Sequence, residues 1–184
     1  MPVRIRPATI GDAVAIAQIQ IASCRSAYTG LLPQEYLDRF DPAEQQSAWE
    51  RLILGPSSDV LLVADPGVDR LAGYALGRPI AGAGGASAGE LVALHVRAQA
   101  QRHGTGRRLV HAIARTLADR GATGLVAWVL NGNPAGRFYE RLGGVPAGER
   151  TLQLDEEVEA VETAFVWADL RRLEVVEGDR LDLV

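Results

Sequence analysis

Leu91-Val92-Ala93-Leu94-His95-Val96, then Gln101-Arg102-His103-Gly104-Thr105-Gly106, then a helical run with Leu109, Val110, Ile113 and Leu117 on one face: this stretch decides the fold. Five of its first six residues are apolar and some are β-branched, which reads as a buried strand. Two glycines then stand where a run of 3.6-residue periodicity begins, so the backbone can approach a ligand closely and several unpaired N–H groups converge on one point. The helix dipole adds positive potential there, and a diphosphate is the natural guest of such a turn. Two glycines in six residues also occur in ordinary turns, so the rest of the chain has to agree.

Working upstream, residues 3–6 alternate apolar and charged positions as a short strand does, closed by Pro7. Thr9 and Asp12 have capping-box spacing, and Val14, Ala17 and Ile21 share one helical face, so a helix over residues 10–28 is expected. Gly30 and Pro33 break it, a short helical piece over 34–39 follows, and Asp41-Pro42 starts another helix carrying Trp49, Leu52 and Ile53. The apolar runs 60–64 and 71–76, separated by Asp65-Pro66-Gly67, read as an antiparallel hairpin. Residues 77–89, rich in glycine and alanine, read as a flexible loop; Gly82-Ala83-Gly84 lacks the following amphipathic helix that a dinucleotide fingerprint requires.

Downstream, Gly121 ends the helix after the turn, and residues 125–130 form a buried-type strand. Asn131-Gly132-Asn133-Pro134 opens a short helix over 135–142, and residues 151–154 and 163–170 give two last strands joined by an acidic turn. The order β-α-α-β-β-β-α-β-α-β-β predicts an α/β (α+β) architecture: a single mixed, mostly antiparallel sheet of about seven strands flanked by about four helices.

With 184 residues, 47% hydrophobic and 23% charged, the chain suits one folded domain, expected over residues 1–170 with an acidic tail over 171–184. A net charge of −4 gives no reason to expect a nucleic-acid partner, although Arg97, Arg102, His103, Arg107 and Arg108 gather around the turn. All 19 Lys-plus-Arg positions are arginine, which excludes a P-loop phosphotransferase because that motif needs a lysine. Cys24 is the single cysteine, so an intrachain disulfide and a multi-cysteine zinc site are both excluded, and no metal is expected. No apolar run reaches bilayer length and residues 1–6 carry no hydrophobic signal segment, so a cytoplasmic location without a membrane partner is expected.

The Gln-x-x-Gly-x-Gly spacing of residues 101–106 resembles the pyrophosphate-binding turn of the GCN5-related N-acetyltransferase superfamily. Asn133-Pro134-Ala135-Gly136-Arg137-Phe138-Tyr139-Glu140-Arg141-Leu142-Gly143 is similar to the superfamily's Asn…Phe-Tyr-Glu-x-x-Gly segment and follows at the right distance. Residues 22–33 also resemble one bacterial branch, and the likeness spans roughly residues 3–170. One departure is Ala98, where a proline commonly stands before the turn.

The resemblance implies an acetyl-CoA-dependent N-acetyltransferase (transferase, acyltransferase) that moves an acetyl group to a primary amine by direct attack in a ternary complex. A non-catalytic acyl-CoA sensor or interaction module with the same fold is the alternative, and a homodimer is compatible with either. Backbone groups of Leu94, His95 and Val96 would hold the pantetheine arm, and the turn residues Gln101, Arg102, His103, Gly104, Thr105 and Gly106, with Arg107, would hold the pyrophosphate. Asn133 would bind a pantetheine amide or cap the following helix. Tyr139 is the candidate general acid, or a core aromatic beside Phe138. Glu90 is the candidate base through water, or a polar residue at a strand start; His95 is a rival base, or a structural histidine. Arg25 and Tyr28 would contact the acceptor, whose identity as amino acid, polyamine, aminoglycoside or protein N-terminus stays open.

Overall fold

The computed structural model describes residues 3–67, 70–81 and 87–173. In chain order the elements are β1 (Arg4–Pro7), α1 (Ala13–Tyr28, entered through a 3-10 turn at Ile10–Asp12), α2 (Gln34–Asp38) and α3 (Pro42–Leu54). They continue with β2 (Val60–Asp65), β3 (Gly73–Ala81), β4 (Ser87–Val96), α4 (Thr105–Asp119), β5 (Gly124–Leu130), α5 (Ala135–Arg141), β6 (Val145–Gln153) and β7 (Glu159–Trp167). The strands form one seven-stranded sheet in the order β1-β2-β3-β4-β5-β7-β6, with β4–β5 the parallel pair and every other neighbour antiparallel. This is the mixed, mostly antiparallel architecture that the order of elements predicts.

Strand alternation divides the core between the two faces of the sheet. Val60, Leu62, Ala64, Ala75 and Leu91 pack under α4, whose Leu109, Val110, Ile113 and Leu117 are all 0% exposed. Each such side chain contributes about 1.5–3 kcal/mol by leaving water, which is why the turn before α4 sits on a rigid support. On the opposite face Val63, Tyr74 and Leu76 meet Ile16 and Ile19 of α1 and Trp49 of α3. Trp49 also donates its indole N–H to Gln20 Oε1 at 2.7 Å, fixing α3 against α1.

The start of α1 is fastened by Asp12, whose Oδ2 accepts from the Thr9 backbone N–H at 2.7 Å and from the Arg6 guanidinium at 2.8 Å. Arg6 in turn donates to Asp65 Oδ2 at 2.8 Å, so one guanidinium joins β1, α1 and the end of β2. Asp41 caps α3 in the expected way, accepting from Ala43 N and Glu44 N at 2.9 Å.

The flexible loop expected over residues 77–89 is a correction. Residues 77–81 and 87–89 are paired strand, with Gly77↔Leu91, Arg78↔Glu90 and Pro79↔Gly89 in register, and residues 82–86 lie outside the described residues. Of its glycines, Gly77 and Gly89 answer to packing: a Cβ on Gly77 would lie 2.6 Å from Ile113 Cγ2, and one on Gly89 2.6 Å from Leu117 Cδ1. Helix α4 presses onto both strands here, and only glycine leaves it room. The last two strands also start earlier than expected, at Val145 and Glu159, and Leu170–Arg172 is a 3-10 turn rather than strand. Leu170 and Leu173 are 2% and 3% exposed, so the packed body runs to Leu173; residues 174–184 of the expected tail lie outside the described residues.

Candidate acyl-donor and acceptor site

The parallel ladder between β4 and β5 runs from Ala88↔Gly124 to Leu91↔Ala127 and then stops. On its other edge β4 pairs Leu91 with Gly77 and Ala93 with Leu76, leaving Val92 unpaired as a bulge. A bulge bends its strand and disturbs the ladder locally, and here it coincides with the point where β4 and β5 separate. The separation opens a cavity of about 700 Å³ that reaches from the turn at 101–106 to the C-terminal half of α1.

Left-handed backbone at Arg102 (φ 63°) and Gly104 (φ 81°) folds the turn back on itself. Gln101 Nε2 donates to the Val96 carbonyl at 3.0 Å, and His103 Nδ1 lies 2.6 Å from the Gln101 carbonyl, a contact that suits an Nδ1–H tautomer. The first helical hydrogen bond of α4 is Arg108 N to Gly104 O, so the N–H groups ahead of Arg108 lack acceptors within the helix. Gly106 packs against Phe138, since a Cβ there would sit 3.4 Å from its ring, and this seats α5 against the N-terminus of α4. Arg107 lines the cavity, and its Nε is shielded from solvent without a hydrogen-bond partner. A buried guanidinium N–H left in this way is costly unless an acceptor arrives.

Leu94, His95 and Val96 line the cavity, as do Gln101, Arg102, Gly104, Gly106, Arg107, Asn133, Tyr139 and Tyr28. Glu90, Arg25, His103 and Thr105 do not line it. Glu90 stands opposite Arg78 and Val126, ahead of the bulge, and Arg25 is exposed on α1. Thr105 is buried, 3% exposed, under the first turn of α4. Asn133 lines the cavity and caps α5, its Oδ1 accepting from Ala135 N at 2.9 Å.

Tyr139 is 7% exposed, its ring held by Phe138 (5.2 Å between centroids), Trp167 (5.7 Å) and Phe165 (6.0 Å). Burial, with Tyr28 nearby, pushes its hydroxyl well above the ordinary phenol value, so it stays protonated. Tyr28 faces it from α1 and is pushed up to about 12, again chiefly by burial. Burial pushes His95 down to about 4, and its ring lies 5.3 Å from that of Tyr74. The imidazole is therefore neutral at physiological pH and a weak base.

Several lining residues were not legible in the sequence, above all Trp128 and Arg141. The run 125–130 looks uniformly apolar, yet only Leu125, Ala127 and Val129 face the α4 core. Period-two alternation puts Trp128 on the other face, where the Arg150 guanidinium lies 4.1 Å from its ring centroid.

A sheet splayed at a bulge, with a glycine-bearing turn and unpaired N–H groups at the head of the next helix, gives an α/β fold of the acetyltransferase type. Residues 73–152 match the family model of FR47-like proteins. An uncharacterized N-acetyltransferase of Bacillus subtilis, YuaI, is 27% identical over 175 residues, covering 95% of this chain and 98% of its own. Among solved structures, a GCN5-related N-acetyltransferase from Rhodopseudomonas palustris superposes with a TM-score of 0.69 at 21% identity, covering 90% of this chain and 95% of its own. The PaiA N-acetyltransferase of Thermoplasma acidophilum, solved with coenzyme A, gives 0.64 at 17% identity, covering 89% and 98%. These likenesses show that the chain shares the fold of the N-acetyltransferases it is similar to. Among the described residues no helix is long and apolar enough to cross a membrane.

Proposed function

We propose that the protein transfers an acetyl group from acetyl-CoA to an amine, directly and within a ternary complex. The observation that carries this reading is the opening between β4 and β5, which connects the anion-binding turn to Tyr139 and Tyr28 through one cavity. The residues fit the donor: the unpartnered Arg107 Nε and the free N–H groups at the start of α4 suit a diphosphate. The separated edges of β4 and β5 suit an extended amide-bearing arm. When bound, acetyl-CoA supplies the acetyl group already activated as a thioester.

The chain itself supplies positioning and a proton. Leu94 to Val96 offer backbone groups along the cavity, with Asn133 on the opposite side. Tyr139 holds a proton on Oη at neutral pH and is the site's acid. Its raised pKa makes it a weaker acid in water, but a desolvated thiolate becomes more basic in the same way: burial pushes the Cys24 thiol up to about 11. That shift, together with the burial of Cys24, argues against a covalent acyl-thiol route through this chain. The acceptor amine arrives neutral or loses its proton through water, with Glu90 acting only from outside the cavity.

Thermal denaturation with acetyl-CoA tests the donor site; at about a hundred times the dissociation constant, binding adds roughly 2.7 kcal/mol of stability. A thiol-release assay on Tyr139→Phe then separates enzyme from sensor. Loss of turnover by about 100-fold or more, with the acetyl-CoA thermal shift intact, is expected for a general acid. Full turnover in that variant would remove Tyr139 from the chemistry.

A further inference from the structure

The acceptor end of the cavity lies beyond the bulge, where α1 crosses the gap. It is built from Ser23, Ala27 and Tyr28 of α1, Val92 at the bulge, and Trp128 and Leu130 of β5. These are hydroxyl, apolar and aromatic groups, and among the described residues lining the cavity no carboxylate occurs. The charged side chains that do line it, Arg102, Arg107 and Arg141, are all positive. An alkylammonium moved into such a space loses hydration and gains no counter-ion, which disfavours its binding.

Trp128 would be the natural cation receptor in an aromatic-walled pocket. Here that role is already filled. The Arg150 guanidinium lies 4.1 Å from the Trp128 ring centroid, held by Glu162 at 2.8 Å, so the carboxylate whose charge reaches Tyr28 is already paired and the indole already carries a cation. A second cation against this ring meets like charge, whereas a neutral flat ring meets only favourable contact.

On the reading that this is the acetyl-acceptor site, we infer that the acceptor is an uncharged aromatic amine, an arylamine whose nitrogen is unprotonated at neutral pH, seated between Tyr28 and Trp128. The choice also answers the base problem. A neutral nitrogen needs no proton removed before attack, which suits a cavity whose histidine titrates far below neutrality and whose Glu90 stands outside it.

The test uses the full chain, acetyl-CoA, and a thiol-release assay with 4-methylaniline, tyramine, cadaverine and spermidine as acceptors. Transfer to 4-methylaniline should exceed transfer to cadaverine or spermidine by about tenfold or more in kcat/KM, as an unpaired charge in the cavity predicts. Tyramine, aromatic but protonated on its alkylamine, should fall well below 4-methylaniline. Trp128→Leu should raise KM for 4-methylaniline with the acetyl-CoA thermal shift retained; that shift also shows that the variant is folded. Equal or better transfer to the polyamines overturns the inference, as does failure to acetylate 4-methylaniline while acetyl-CoA still stabilises the protein. No stabilisation by acetyl-CoA removes the acetyltransferase reading itself, and this inference with it.

Discussion

Asp12 offers the sharpest stability test because one carboxylate completes three contacts at the entrance to α1. Arg6 holds its pKa down, from 3.8 to about 2, against the opposing effect of burial, and the Thr9 backbone and hydroxyl add to the lowering. A carboxyl whose pKa is lower in the folded than in the unfolded protein contributes stability that is complete above its unfolded value. That stability is lost as pH falls through the folded value. At about 1.4 kcal/mol per pH unit, the lowering corresponds to roughly 2 kcal/mol at neutral pH. Asp12 is 8% exposed, so solvent screening takes away little of this. For a chain of this size that is about 4–8 °C of melting temperature. The perturbation is Asp12→Asn, which keeps the volume, removes the charge and leaves Arg6 with Asp65 alone. The assay is urea unfolding of both proteins from about pH 7 downward. The gap should be near 2 kcal/mol at neutral pH, hold down to about 3.8, and close as pH approaches 2, where wild-type Asp12 becomes neutral as well. A gap below about 0.5 kcal/mol at neutral pH, or one that stays constant down to pH 2, would refute the argument.

Tyr74→Phe should raise stability by about 1 kcal/mol, because the Tyr74 hydroxyl is fully buried without a hydrogen-bond partner and phenylalanine keeps the ring between Trp49 and His95. Thermal melting checks it, and a drop of similar size would show that the hydroxyl is satisfied in solution. His95 should stay neutral between pH 5 and 8, so its imidazole resonances should not titrate there by NMR. As a base whose pKa is lowered by burial, it should withdraw stability as pH falls from about 6.5 toward 4, a window separate from that of Asp12. A histidine titrating near 6.5 would contradict its burial against Tyr74.

The architecture was legible wherever a local rule coincided with the tertiary arrangement. The turn at 101–106 and the Asn133 to Gly143 segment each combine a backbone demand with a following helix, and the structure puts both on one cavity. Residues 77–89 misled for a physical reason. Glycine in a strand forced by a helix packing on top cannot be told from glycine in a loop until Ile113 and Leu117 are seen to occupy the space. Trp128 was hidden because a strand whose two faces meet different partners, α4 on one side and the cavity on the other, is apolar throughout and shows no alternation. Arg150 over Trp128 could not be read at all, since the pair depends on strand register between distant segments. The resemblance that marks Glu90 as a candidate base says nothing about which side of the bulge its carboxylate reaches.

The short parallel ladder between β4 and β5 also divides the molecule. On one side β1 to β4 form an antiparallel set, and on the other β5, β7 and β6 form a second; four register pairs, Ala88↔Gly124 to Leu91↔Ala127, join them. Amide exchange across that seam is therefore expected to be the fastest within the central strands, with the two halves parting more readily than either melts. A ligand lying along the open continuation of the seam bonds to both halves at once and acts as a staple for the fold. Slowed exchange at Leu91 and Ala127 on ligand binding would record that staple at residues lying beside, rather than within, the ligand's path.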